Sequence, residues 1–61
     1  MKRRQLLDHL ARYDCTLRRE GANHSIYRNQ QTGKQTAVGR HTEIDNNAVR
    51  KICKQLGIPS P

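Results

Sequence analysis

Aromatic residues are nearly absent from this 61-residue sequence, which contains two Tyr and no Trp or Phe. No stretch approaches the ~20 consecutive apolar residues of a membrane-spanning helix. The sequence also has no basic amphipathic helix with aromatic anchors, which argues against binding at a membrane surface. The first residues lead into a mixed polar segment without an apolar run, so we expect no signal peptide and a cytoplasmic location.

Cysteines and acidic residues are also few. Cys15 and Cys53 form no Cys-x-x-Cys pair, so zinc-ribbon spacing is absent, and each lies at an apolar-patterned position that predicts a reduced thiol in the core. The five acidic residues form no cluster that would hold magnesium, which argues against two-metal chemistry. No Ser-His-Asp or Cys-His signature stands out. We therefore expect neither a metal nor a cofactor.

Positive charge is what the chain has in excess. Lys and Arg total 12 against five acidic residues, the net charge is +7 and the pI is about 10.3. Such an imbalance in so short a chain favours a nucleic-acid partner over a merely solvated surface. A chain of this length forms one domain, here residues 1–61, and buries only ~60% of its unfolded surface. We therefore expect a surface site and no deep pocket.

Apolar periodicity predicts a helix followed by three strands. Residues 2–13 carry a helical stripe, formed by Leu6, Leu7, Leu10 and Ala11. Residues 15–18, 24–29 and 35–40 read as short strands with close connections, which favours an antiparallel meander. Gly33 lies in the second connection, where a positive φ is often required.

A second helix is the best-defined element. Three N-cap candidates occupy residues 45–47, and a second apolar stripe follows, formed by Ala48, Val49, Ile52, Cys53 and Leu56. Gly57 is placed to end the helix and Pro59 prevents its continuation. The order α-β-β-β-α predicts an α+β fold, a three-stranded antiparallel sheet with two helices on one face. That is the plan of a double-stranded-RNA-binding-like domain.

His24 is the principal candidate for chemistry, because it follows a glycine turn (Gly21, Ala22, Asn23) at the start of a strand. Histidine exchanges protons near neutral pH. Cleavage of RNA without a metal needs a base for the 2′-hydroxyl, an acid for the leaving oxygen and cations for the developing charge. His41, after the third strand, is a possible acid or base partner of His24.

Three segments carry a resemblance to a known family: EGANHSIY at 20–27, VGRHTEI at 38–44 and VRKICKQLGI at 49–58. Together they resemble the HicA toxins of HicA–HicB toxin–antitoxin pairs. The resemblance implies a double-stranded-RNA-binding-like fold, a ribosome-independent mRNA interferase, a catalytic histidine at His24 and a HicB-type antitoxin that covers the active face. Two positions depart from the family pattern: Ala22 replaces its usual Ser, and Gly39 replaces a proline common there.

Contacts with the mRNA phosphates are expected from four basic side chains: Arg28, Arg40, Lys51 and Lys54. Tyr27 would either stack on a base or belong to the core. Two alternatives to a nuclease stay open at this point. A non-catalytic RNA-binding module explains the charge but gives His24 no role. A DNA-binding protein is consistent with the basic second helix, although no turn-linked helix pair precedes it.

Overall fold

The computed structural model describes all 61 residues. The chain forms a helix, then three strands, then a second helix. The elements, in chain order, are α1 (Arg3–Arg12), β1 (Cys15–Glu20), β2 (His24–Asn29), β3 (Gln35–Gly39) and α2 (Asn46–Leu56). The strands form one antiparallel sheet in the order β1-β2-β3. The predicted α+β class and α-β-β-β-α order are confirmed, and β1 extends two residues beyond the predicted 15–18 strand.

Both helices pack against the same face of the sheet and bury most of their apolar stripes, although Ala11 of the first stripe is exposed. The core contains nine hydrophobic residues: Leu6, Leu10, Cys15, Val38, Ile44, Val49, Ile52, Cys53 and Leu56. Helix α1 packs over β1 and α2 over β3. Because side chains alternate along a strand, the other face of the sheet stays open to solvent.

The ends of α2 form as the sequence predicts. The Asp45 carboxylate accepts a hydrogen bond from the Asn47 amide at 3.1 Å, which satisfies one of the free donors of the first turn. At the other end Gly57 adopts a φ of 74°, and the Ile58 amide donates to the Cys53 carbonyl at 3.0 Å. Both ends of α2 are therefore fixed by local contacts.

The two cysteines are free thiols in the core, as predicted. Cys15 and Cys53 are both buried, and burial raises the pKa of each thiol. A raised pKa keeps the thiol neutral and unreactive. Neither helix has the length and apolarity needed to cross a membrane.

A β-bulge in β1 changes which side chains face the helices. Leu17 pairs with Tyr27, but the register shifts before Arg19, and Glu20 pairs with Ser25. The extra residue, Arg18, lets Leu17 and Glu20 point to the same side of the sheet. The bulge therefore places the Glu20 carboxylate beside Ser25.

Candidate functional site

His24 opens β2 with its side chain on the open face of the sheet. It is exposed, whereas the next residue, Ser25, is 1% exposed and faces the helices. In the sheet His24 lies directly opposite Gly39 of β3. The His41 ring also approaches this glycine: its Cδ2 lies 3.7 Å from the position that a Cβ on Gly39 would occupy. The missing side chain thus leaves room for the His41 ring.

Both histidines line one groove between β3 and α2, which we call the edge groove. Its volume is about 390 Å³, and its lining includes His24, Ala37, His41, Ala48, Lys51 and Gln55. Two other depressions, of about 450 Å³ and 220 Å³, lie around Met1 and contain neither of these histidines. The structure therefore brings His24, His41 and Lys51 into one concave surface.

The two carboxylates at the edge groove are already engaged. Glu43 accepts a hydrogen bond from Lys2 Nζ at 3.1 Å, and this contact lowers the pKa of the Glu43 carboxyl. Asp45 caps α2 through the Asn47 amide. No group of three or more His, Cys, Asp or Glu side chains is arranged to hold a metal ion. The cationic and imidazole groups thus dominate the free polar surface of the groove.

Arg40 fastens the turn that precedes His24. One guanidinium nitrogen donates to the Ala22 carbonyl at 2.9 Å. The other donates to the Gly21 carbonyl and lies 3.3 Å from the His24 carbonyl. The turn also closes on itself, since the Gly21 amide donates to the His24 carbonyl at 2.7 Å. A Cβ on Gly21 would lie 3.1 Å from that same oxygen, so glycine suits this close approach.

A second layer of polar contacts ties this turn to α1. The same Arg40 nitrogen pairs with Glu20 at 3.1 Å, and the Ser25 hydroxyl donates to the Glu20 carboxylate. Arg3 of α1 donates to the Ser25 hydroxyl at 3.1 Å and to the Gly39 carbonyl at 2.8 Å. We call Arg3, Glu20, Ser25 and Arg40 the turn clamp. It connects α1, the ends of all three strands and the backbone of His24.

The contacts of the turn clamp favour the ionised form of the Glu20 carboxyl. The Ser25 hydroxyl and then Arg40 lower the pKa of the Glu20 carboxyl. A lowered pKa in the folded state means that the contact adds stability above the ordinary glutamate pKa, and that this stability is lost as the pH falls through the lowered value. The Glu20 carboxylate is solvent-exposed, so the contact serves geometry more than stability.

The other expected RNA contacts do not all lie at the edge groove. Lys51 lines the groove, and Lys54 is exposed on the next turn of α2. Arg28 lies on the same sheet face as His24, half-buried, with its guanidinium near Gly33 of the β2–β3 connection. Tyr27 lies on the opposite face and packs, partly buried, against the core. This placement favours the core alternative for Tyr27 over stacking on a base.

Three members of the turn clamp, Arg3, Glu20 and Ser25, are not among the site residues that the sequence predicts. Ser25 alone offers a signal: the strand alternation places it on the side of the helices, and a buried hydroxyl there needs a polar partner. That the partners are Glu20 and Arg3 follows only from the bulge in β1 and from the packing of α1. Gln55, which lines the edge groove, has no signal beyond its helical spacing from Lys51.

Fold and site together define a small basic α+β protein with a pair of histidines at one edge of its sheet. Residues 3–58 match a family described as the HicA toxin of bacterial toxin–antitoxin systems. The chain belongs to the HicA toxin family, which confirms the resemblance carried by its three motif segments. Its role is that of the toxin in a toxin–antitoxin pair. No curated protein and no solved structure matches the chain significantly.

Proposed function

We propose that this toxin is a metal-independent endoribonuclease, an mRNA interferase, with His24 as its catalytic residue. The observation that carries the proposal is that His24 and His41 line one groove beside Gly39, together with Lys51. Two imidazoles and an ammonium group are the residue types that cleavage through the 2′-hydroxyl requires.

The chemistry needs no group beyond RNA and these side chains. One imidazole removes the proton of the 2′-hydroxyl, and the 2′-oxygen attacks the adjacent phosphorus. The bond from phosphorus to the 5′-oxygen breaks, and the second imidazole gives its proton to that oxygen. The products are a 2′,3′-cyclic phosphate and a 5′-hydroxyl. Lys51 offsets the negative charge that develops on the phosphorane.

Substrate binding is assigned to basic side chains that take no part in the turn clamp. Arg28, Lys51 and Lys54 contact phosphates, and the net charge of +7 attracts the polyanion over a longer range. Arg40 is assigned to holding the turn, because its guanidinium is engaged by three carbonyls and Glu20. The alternative of a non-catalytic RNA-binding module leaves the pairing of His24 and His41 without a role.

Cleavage in the presence of excess EDTA is the direct test of the proposal. The purified protein should cut single-stranded RNA at an unchanged rate when EDTA is added, because no side-chain cluster is arranged to hold a metal. The products should carry 2′,3′-cyclic phosphate ends, which end-specific labelling detects. Complete loss of cleavage in EDTA, with recovery in magnesium, would contradict the mechanism.

His41 gives a separate prediction about pH. If one imidazole acts as base and the other as acid, the rate of cleavage should be bell-shaped against pH. A His41→Ala variant should lose one limb of that profile and about 10²–10⁴-fold in rate. An unchanged profile and rate in the variant would remove His41 from the mechanism and leave His24 with another partner.

The antitoxin partner is proposed to be an acidic, HicB-type protein that covers the edge groove and the open sheet face. Association should be faster at low salt, because a domain of charge +7 is steered toward an acidic surface. Stopped-flow association between about 50 and 500 mM salt measures this steering. In the complex, His24 should be protected from modification by diethyl pyrocarbonate. Equal reactivity of His24 in the free toxin and in the complex would contradict this surface.

A further inference from the structure

The edge groove extends well beyond its two histidines. His24 and His41 lie at the end near Gly39. Ala37 precedes Gly39 by two residues along β3, which separates them by about 7 Å at the usual strand rise. Helix α2 forms the other wall through Ala48, Lys51 and Gln55. A phosphate held at the histidines would therefore leave an open cleft on one side.

The walls of this cleft are small and apolar where α2 faces β3. Ala48 and Ile52 line the cleft from α2. Ala37 borders it from the edge of β3 with a short side chain on the open face, because the neighbouring Thr36 and Val38 are buried toward the helices. The whole edge groove, at about 390 Å³, falls within the ~300–1,000 Å³ of small-molecule sites, which are mostly apolar with a few placed polar groups. The cleft contains no tyrosine, so its shape rather than aromatic stacking would hold a ring.

One polar group in the cleft is held in place by the sheet. The Thr36 hydroxyl, 8% exposed, hydrogen-bonds one end of the Gln55 amide. The other end of that amide, Nε2, makes no hydrogen bond within the protein, and Gln55 lines the groove. An amide fixed at one end offers a donor or acceptor of defined position, which is what recognition of a base edge requires.

We infer that this cleft, formed by Ala37, Ala48, Ile52 and Gln55, binds one unstacked nucleobase of single-stranded RNA beside the phosphate at His24. The inference rests on the proposed function for its phosphate site. It gives the nuclease a means of choosing sequence: Gln55 reads the edge of the base, and the two alanines set its size. Lys51 and the other cations bind every sequence equally.

Binding of uncleavable RNA tests the cleft separately from catalysis. The probes are four 2′-O-methyl tetranucleotides, one for each base, and fluorescence anisotropy gives their Kd values. The parent should favour one base by about tenfold, since a site built to pair a polar edge rejects bases that leave it unpaired. Gln55→Ala should reduce the difference among the four Kd values to about twofold. Lys51→Ala should weaken all four alike.

A second variant fills the cleft without touching the amide. Ala37→Leu, at an exposed strand position, should weaken the binding of all four tetranucleotides by about tenfold because the larger side chain occupies the space of the base. Ala11→Leu, at an exposed position on α1 outside the groove, is the matched control and should bind like the parent. Circular dichroism establishes that each variant is folded.

The outcomes separate the two proposals. Equal affinity of the parent for all four bases, or unchanged preference in Gln55→Ala together with unchanged affinity in Ala37→Leu, would overturn the cleft while leaving cleavage by His24 intact. Loss of antitoxin binding in Ala37→Leu with RNA binding unchanged would assign the cleft to the antitoxin and overturn it equally. Base preference that depends on Gln55 would support the cleft even if the parent failed to cleave RNA.

Discussion

Replacement of His24 by alanine should abolish cleavage while leaving the fold and RNA binding intact. His24 is exposed on the open sheet face, and substitutions at such positions usually change stability by less than about 0.5 kcal/mol. Affinity for RNA comes mainly from the cationic side chains, which the variant retains. Loss of a positioned general base or acid costs about 10²–10⁴-fold in rate.

Three properties of the His24→Ala protein are measured: stability, RNA binding and cleavage. Thermal unfolding and the Kd for an uncleavable RNA should match the parent, whereas the cleavage rate and growth arrest should be lost. His9→Ala is the matched control, because His9 lies on α1 outside the edge groove. This variant should cleave RNA at the parental rate. A His24→Ala protein that cuts RNA at the parental rate would remove the proposed catalytic residue. One that unfolds would show that His24 is structural.

Replacement of Arg40 by alanine should reduce turnover more than RNA binding. The guanidinium holds the carbonyls of Gly21, Ala22 and His24, so its removal frees the turn that orients the imidazole proposed as catalytic. Misplacement of a catalytic group by about 1 Å costs on the order of 10²-fold. We therefore expect kcat to fall by about 10- to 100-fold with the Kd for uncleavable RNA changed by less than about threefold.

Two further measurements distinguish a positioning residue from a phosphate contact. A phosphate contact would, when removed, weaken binding and reduce the dependence of log Kd on log salt by about one unit, whereas positioning leaves that slope unchanged. Arg40→Lys should not restore kcat, since an ammonium cannot reproduce the planar fork that reaches several carbonyls at once. Full rescue by Lys, or a loss confined to Kd, would return Arg40 to the phosphate-binding residues expected from the sequence.

The contacts of Arg40 explain how the turn before His24 can be held although Ala22 replaces the serine usual in the family pattern. The side chain at this position, Ala in place of the family's usual Ser, takes no part in the contacts that hold the turn. Its backbone carbonyl does, through Arg40. A backbone contact is available to any residue at position 22. The turn can therefore be held in this chain without the serine hydroxyl.

Local signals predicted much of this protein. The helical stripe, the cap at Asp45 and the glycine stop at Gly57 are sufficient to define α2, because caps and periodicity depend on residues within one or two turns. The strand order followed from short connections, whereas the polyanionic substrate indicated by the excess of Lys and Arg stays a prediction. His24 stood out because a glycine turn precedes it at a strand end, which also predicted its exposure.

Only the tertiary structure decided how the site is assembled. Arg40 meets Glu20 across 20 residues of chain and Arg3 meets Gly39 across 36, and no periodicity reports contacts at such separations. The bulge at Arg18 turned Glu20 toward Ser25, a one-residue shift that strand alternation alone does not reveal. The approach of α2 to β3 formed the edge groove. These features depend on long-range packing, which composition and spacing do not encode residue by residue. The sequence therefore indicated which side chains are candidates for chemistry, and the fold decided which of them meet.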